Sequence, residues 1–405
     1  GNGSAAGPEV ELGWEPQFIL YKNTNQADDW FMLDSMRGIV TGANDNRLRP
    51  NTTDADNTSA NNIDLTSTGF KCVSNDSNTN GNGHTYVYMA IRRPDGYVGK
   101  PADVGTDVFA MDTGNSSTTI PVYDSGFSVD FVLSRKRTGS DEWWSSARVS
   151  GDKYGATSTT QAWGGWSNYV AFDSNAGWGK YDNPYGGSDY NSWMWKRHTG
   201  FDVLAWKGNS IAGRAIPHSL NKTPEMIWFK NRTGTNDWQV YHKGLNGGTD
   251  PEDYKLKLNG TEAESDSSEM NDTAPTSTHI TVGSGTGTNN ESHSYIAMLF
   301  ASVDGISKVG SYTGTGSSGN SVSLGFQPRF LIVKNADWSS GDWFVYDTTR
   351  GWASGNDSVL TLNSSGAQAT GTTHDIDPTS TGFTVQSTDA AVNNNGHNFV
   401  YYAHA

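Results

Sequence analysis

One pattern returns four times along these 405 residues, and it limits the possible folds more than any other feature of the chain. It runs as Pro, any residue, four mostly apolar residues, Lys, Asn, a polar loop, then an acid followed by Trp. The three full copies are Pro16 with Phe18 to Tyr21, Lys22, Asn23, Asp29 and Trp30; Pro224 with Met226 to Phe229, Lys230, Asn231, Asp237 and Trp238; and Pro328 with Phe330 to Val333, Lys334, Asn335, Asp342 and Trp343. A degenerate copy keeps Asp130, Phe131 to Ser134, Arg135, Glu142 and Trp143, but has Val129 for the Pro and Lys136 for the Asn. A second landmark fixes the register. Thr66 to Phe70 recurs unchanged at Thr379 to Phe383, and Gly83 to Val87 matches Gly396 to Val400, both at an offset of 313 residues, or three periods of about 104.

Within each copy the signals are short and extended, as in Phe330 to Val333, Trp343 to Tyr346, Val359 to Leu362, Phe383 to Val385 and Phe399 to Tyr402. Gly, Asn, Asp and Ser separate them, as turns require. Four apolar residues in a row indicate a strand covered on both faces, and a 3.6-residue period is nearly absent. The expected fold is therefore all-β: tandem antiparallel β-sandwich units, lectin-like or jelly-roll-like, as four diverged repeats of about 100 residues. The boundaries read as repeat one at 1–92, a linker at 93–126, a diverged aromatic-rich repeat at 127–207, and two further repeats at 208–307 and 308–405. A short helical turn is expected in the linker near Val108 to Met111. Gly1 to Ser4 is in phase with Gly314 to Ser317, so the sequence opens inside a linker strand. Residue 1 is Gly and no basic-then-apolar leader follows it, so a cleaved or truncated product with more chain ahead of it is expected.

Charge narrows the partners. With 28 Lys and Arg against 43 Asp and Glu the net charge is −15, and such a surface repels a polyanion, so no nucleic-acid partner is expected. The longest apolar run, Tyr295 to Ala301, is far shorter than the roughly 20 residues that span a bilayer, so no membrane span is expected. Cys72 is the only cysteine, which rules out an internal disulfide. Burial must come from 15 Trp, 17 Tyr and 15 Phe spread along the chain, enough for several small cores.

Motifs for chemistry are sparse. Gly314, Gly316 and Gly319 match GxGxxG, but a strand, not a helix, is expected after them, so they cannot offer pyrophosphate a helix N-terminus. Gly99, Lys100 and Pro101 lack the rest of a phosphate loop. Asp54 and Asp56 begin like a calcium loop that lacks its Gly and its final acid, although the Asp- and Asn-rich loops leave room for a structural calcium ion. No other cofactor, no metal ligand and no catalytic residue is assigned. The acids before Trp (Asp29, Glu142, Asp237, Asp342) recur in every repeat, which favours a turn or cap role over glycosidase carboxylates. By the same reasoning His84, His293 and His397 are strand-start residues.

What belongs to one repeat alone is an aromatic surplus. Trp163, Trp166, Tyr169, Trp178, Tyr181 and Tyr185 sit among Asn, Asp and Gly, the mixture that holds sugars by ring faces and hydroxyl contacts, and they form the candidate ligand-binding set. Tyr190 stands beside Trp193 and Trp195, and these two tryptophans are expected to fill a core from the closing strand.

The stretches Gly200 to Leu220, Thr223 to Arg232, Asp237 to Gly248, Asn271 to Gly283, Tyr295 to Gly314 and His84 to Ser117 together resemble the repeat region of tail-fibre and other virion structural proteins of marine tailed bacteriophages. The resemblance implies a non-enzymatic virion appendage on the extracellular particle surface, acting in host attachment with glycan recognition. Its implied partners are a host cell-surface polysaccharide or receptor, other virion proteins and further copies of the chain as a homotrimer. A capsid-surface fibre or decoration protein, a glycan-cleaving tailspike, and a bacterial adhesin or sugar-binding module are the alternatives.

Overall fold

The computed structural model describes residues 1–92, 99–165, 170–179 and 186–405. The chain is almost all β and its ladders are antiparallel, as the sequence leads one to expect. Each apolar run of the repeat becomes an inner strand of a sheet, and in sheets two, three and four both of its faces are covered. Phe330–Asn335 thus lies between Trp343–Asp347 and Asn398–His404.

The same strand order recurs in four sheets. Sheet four runs Ser307–Thr313, Asn398–His404, Phe330–Asn335, Trp343–Asp347, Asp357–Thr361 and Ala369–Gly371. Sheet three repeats it with Phe201–Lys207, Ser294–Phe300, Met226–Asn231, Gln239–His242, Tyr254–Lys257 and Ser265–Asp266. Sheet two uses Phe109–Thr113, Tyr190–Trp195, Phe131–Lys136, Trp144–Ala147, Lys153–Ala156 and Gly164–Gly165. Sheet one has five strands: Tyr86–Arg92, Pro16–Asn23, Phe31–Asp34, Asp45–Leu48 and Asn57–Ala60.

A smaller sheet covers one face of each, making the sandwich. Leu331, Val333, Phe383 and Phe399 share one such core, Ile227, Phe229, Ile280 and Tyr295 another, Val132, Met194 and Trp178 a third, and Ile19, Tyr21 and Phe70 a fourth. The other faces of sheets two, three and four meet in a single core that holds Leu133, Trp143, Trp193, Trp228, Trp238, Ile332, Trp343 and Tyr402. Alternation along one strand serves both layers: Phe330 and Ile332 face the shared core, Leu331 and Val333 the sandwich core.

The segments between repeats depart from the linker reading. Within 93–126, the helical turn expected near Val108 to Met111 is not there: a 3₁₀ turn lies just before it, at Gly105–Asp107, and Phe109–Thr113 is instead a strand on Tyr190–Trp195. Likewise Phe201–Lys207, which the sequence boundaries leave with the second repeat, pairs with Ser294–Phe300 of sheet three. Each connecting segment covers the edge of the sheet it leads into, so backbone groups that would otherwise face solvent are paired. Among the described residues no helix is long and apolar enough to cross a membrane.

Candidate interaction surface

Sheets two, three and four close on one another in a ring, and the repeated residues supply the closure. The Trp143 indole Nε1 donates to the carbonyl of Thr361 at 2.8 Å, Trp343 to that of Lys257 at 2.9 Å, and Trp238 to that of Ala156 at 2.9 Å. Sheet two thereby holds four, four holds three, and three holds two. The repeat's basic residue follows the same circuit. Arg135 donates to Gly366 O at 2.5 Å, Lys334 to Thr261 O at 2.8 Å and Lys230 to Thr160 O at 2.9 Å. Lys230 and Lys334 also donate to their own loops, at Asn236 O and Gly341 O, and burial pushes both ammonium groups down to about 8.

The Asn that follows is a buried tie. Asn23, Asn231 and Asn335 each donate Nδ2 to a carbonyl of the loop before the closing strand: Ser77 at 2.7 Å, Thr286 at 3.0 Å and Ala390 at 3.0 Å. The acid before Trp has an equally structural setting. Asp29, Asp237 and Asp342 each accept from an Asn Nδ2 (Asn51, Asn259, Asn363) at 2.8 Å, and that Asn in turn accepts the Trp backbone N–H. In sheet two Ser158 donates to Glu142 in the same place. His84 and His397 touch the tie Asn, and His293 touches Thr233, all immediately ahead of the closing strand.

Sheet one carries the same residues but not the same neighbours. Lys22 donates to Asp28 O of its own loop at 2.5 Å, and among the described residues no second sheet supplies its other acceptor. By strand pairing, Phe18 and Leu20 occupy the places of Phe330 and Ile332, and Val87, Met89 and Ile91 those of Val400, Tyr402 and His404. The second set is buried; Val87, Met89 and Ile91 are 44%, 49% and 50% exposed, and Trp30 is 36% exposed. Val87, Met89 and Ile91 alternate along one strand and so share the outward face of the sheet. The rest of the first sandwich is anchored: Arg232 donates to Thr41 O, Ser219 to Ser67 O at 3.1 Å, and buried Arg197 pairs with Glu15 at 2.5 Å and Asp202 at 2.6 Å.

The aromatic set from the sequence falls differently. Trp163 lies in the shared core, against Gly155, where any added Cβ would meet its indole. Trp178 fills the second sandwich, stacked on Tyr123 at 5.2 Å and donating Nε1 to Ser192 Oγ at 2.8 Å. Neither presents a ring face to a ligand, because each large ring is needed to fill a small core. Trp166, Tyr169, Tyr181 and Tyr185 lie outside the described residues. Trp193 and Trp195 are core residues, as expected.

Asp54 and Asp56 pair with Arg49 and Arg37 at 3.1 and 3.2 Å, and among the described residues no group of three or more His, Cys, Asp or Glu side chains converges on a point. A strand, Asn320–Ser323, follows Gly314, Gly316 and Gly319. The sequence marks Trp30 as a repeat residue and Val87 as part of a landmark, but gives no surface role to Trp30, Val87, Met89 or Ile91. The signal for them lay in the alignment of repeats, combined with knowledge of which face the siblings bury.

Fold and surface together define an all-β protein of sandwich units, three of which pack on one another through the outer faces of their larger sheets. The chain belongs to the family described as Domain of unknown function (DUF7483), whose pattern matches residues 1–93 and 110–405. No curated protein matches it.

Proposed function

We propose that the chain is a non-enzymatic part of a bacteriophage virion appendage, a tail fibre or tail-associated protein serving host-surface attachment, and that it assembles as a homotrimer through the outward face of sheet one. The observation that carries the assembly is the ring of three. Wherever sheets of this kind bury their Trp-bearing faces, they do so in threes, each indole donating to the next sheet. Sheet one has the same Trp, Lys and apolar residues with the face open. Two more copies supply the two missing sheets, with Trp30 donating to the Arg49 carbonyl of the next copy, the position that Ala156, Lys257 and Thr361 hold within the chain. Removing a large apolar side chain from water stabilises by about 1.5–3 kcal/mol, so burying Trp30, Val87, Met89 and Ile91 in such a contact favours assembly.

The structural setting of Asp29, Asp237 and Asp342 supports the non-enzymatic reading, since each is committed to an Asn in the same way. The virion role rests on the sequence resemblance. Recognition of a host polysaccharide, if part of attachment, is assigned to residues other than Trp163 and Trp178. Sedimentation equilibrium of the 405-residue chain tests the assembly; a mass near 43.8 kDa at all concentrations refutes it. Gold-labelled antibody on intact particles tests the location: label on the tail supports the reading, and label confined to the capsid or absent from particles overturns it. Oligosaccharide release from host envelope would overturn the non-enzymatic assignment.

A further inference from the structure

At one end of the fourth sandwich a buried acid opens the strand Asp357–Thr361, and repeat one shows the setting such an acid has elsewhere in the chain. Asp45 of repeat one is fully buried with both oxygens satisfied: Oδ2 accepts from the N–H groups of Asn62 and Ile63 at 2.9 and 3.1 Å, and Oδ1 from that of Val40 at 3.2 Å. Asp357 takes the same place, its Oδ2 accepting from Ile376 N–H at 2.7 Å. Asp377 likewise answers Asp64, each accepting the N–H of a loop glycine, Gly355 at 2.9 Å and Gly42 at 2.8 Å. Asp375 therefore stands where repeat one has Asn62.

Exchanging that amide for an acid leaves two acceptors face to face. Asp357 is fully buried, and its Oδ1 and the Oδ1 of Asp375 are buried atoms that no other donor reaches. The two side chains hydrogen-bond to each other. Ionised carboxylates only accept, so one of the pair must carry a proton and donate it. No cation stands in for that proton. In repeat one Arg47 donates to Asn62 at 2.7 Å, but the strand register puts Val359 in its place in repeat four. Of the groups around the pair, Arg350 is committed to Asp347 at 2.5 Å, Tyr346 donates its hydroxyl to His374 O at 2.8 Å, and His374 Nε2 lies 3.9 Å from Asp389. Asp377 adds a third acid, and the neighbouring strand Ala369–Gly371 carries no charge.

We infer that Asp357 and Asp375 are a shared-proton acid pair, a pH-sensitive latch that fastens the loop 348–356 to Ile376–Thr379 while one proton is bound and loosens it when both acids ionise. The loop hangs on these same residues. Trp352 donates Nε1 to Ile376 O at 2.5 Å, Gly355 donates to Asp377, and the Ile376 N–H is held by Asp357 itself. Burial, and with it the charge of the neighbouring acids, raises both carboxyls, Asp357 to about 7. A free aspartate titrates near 3.9, so between about pH 4 and 7 the closed latch keeps a proton that the opened loop gives up. The latch is intact at the acid end of that window. Its closing equilibrium weakens by up to about tenfold per pH unit through the window and levels off above about pH 7.

Amide exchange at Ile376 in the 405-residue chain, corrected for the intrinsic effect of pH, tests the latch. Protection in the parent is expected to fall at least about tenfold between pH 5 and 8. Asp357→Asn puts an amide donor where the protonated acid donates, and should keep the parent's acid-side protection within about threefold across the same range. Asp375→Asn, which restores the amide of repeat one, should also reduce the fall. The infrared C=O stretch of protonated carboxylic acids at pH 6 is the readout that does not depend on the loop: it should be weaker by one group in Asp357→Asn than in the parent. Parent protection that stays constant from pH 5 to 8, an Asp357→Asn profile that falls as the parent's does, or an unchanged infrared band overturns the proposal.

Discussion

Trp343 donates its indole hydrogen to the carbonyl of Lys257 at 2.9 Å, joining the fourth sheet to the third through a residue that recurs in every repeat. Trp143 and Trp238 make the same bond to their own neighbours, so the ring closes without a gap. Replacing Trp343 by Ala removes a fully buried ring and leaves a cavity, a change that costs about 3–5 kcal/mol. Trp343→Phe retains most of the volume but removes the indole donor, leaving the Lys257 carbonyl with only its 3.4 Å bond from the Gly260 N–H, and costs about 0.5–1.5 kcal/mol. Trp30→Phe, at the exposed copy, is expected to change the stability of the isolated chain by less than about 0.5 kcal/mol. Denaturant midpoints of the three variants test this ordering.

The repeat was legible because several of its residues do one local job in the three full copies: the Asn23, Asn231 and Asn335 ties and the Asp–Asn pairs are local, and local demands leave spaced residues in the sequence. The buried fate of Trp163 and Trp178 was not legible, since a Trp among Gly and Asn reads the same whether its ring meets solvent or the next sandwich. The role of Phe109–Thr113 and Phe201–Lys207 as edge strands was hidden for a related reason. Strand partners across a repeat boundary are chosen by the sheet, and no local signal records them.

Asn335 is fully buried and its Nδ2 donates to Ala390 O, while its Oδ1 accepts the N–H of Asp337. Asn335→Ala removes the partner of the part-buried Ala390 carbonyl and Asp337 N–H and empties a buried side-chain site, and is expected to destabilise by about 1–3 kcal/mol. Asn335→Asp is expected to be at least as costly, because the carboxylate meets the Ala390 carbonyl in place of a donor. Thermal melts of both variants against the parent chain provide the comparison.

Lys230 and Lys334 are buried and held at about 8, against about 10.4 for a free lysine. Below pH 8 the folded chain must carry both charges out of water. As pH rises from about 8 towards 10, the folded protein has released protons that the unfolded chain still binds, so stability climbs with pH in that window. The expected gain between pH 7 and 9.5 is about 2 kcal/mol per lysine. Above pH 10 the trend reverses, because burial pushes Tyr295 and Tyr401 up to about 12 and the unfolded chain ionises its tyrosines first. Denaturant midpoints taken at intervals from pH 7 to 9.5 should rise in the parent and flatten in Lys230→Met and Lys334→Met; a flat parent profile would contradict the buried, charge-poor setting of these lysines.

Met89 sits at the middle of the outward face of sheet one, 49% exposed and flanked by Val87 and Ile91 on the same strand. Its counterparts Met298 and Tyr402 are buried against other sheets, so at those places a carboxylate would be lethal to the fold. At position 89 the chain has no such contact to lose, and Met89→Glu should leave the melting temperature of the isolated chain within about 2 °C of the parent. In the assembly three glutamates would face one another across a dry interface, and like charges brought together without partners cost far more than the lost methionine contacts. Light scattering across a concentration series should therefore show a trimer for the parent and a monomer for Met89→Glu with unchanged far-ultraviolet circular dichroism. Met89→Leu, which keeps the apolar volume, should remain trimeric. A parent and a Met89→Glu variant of equal mass would place the contact elsewhere on the molecule.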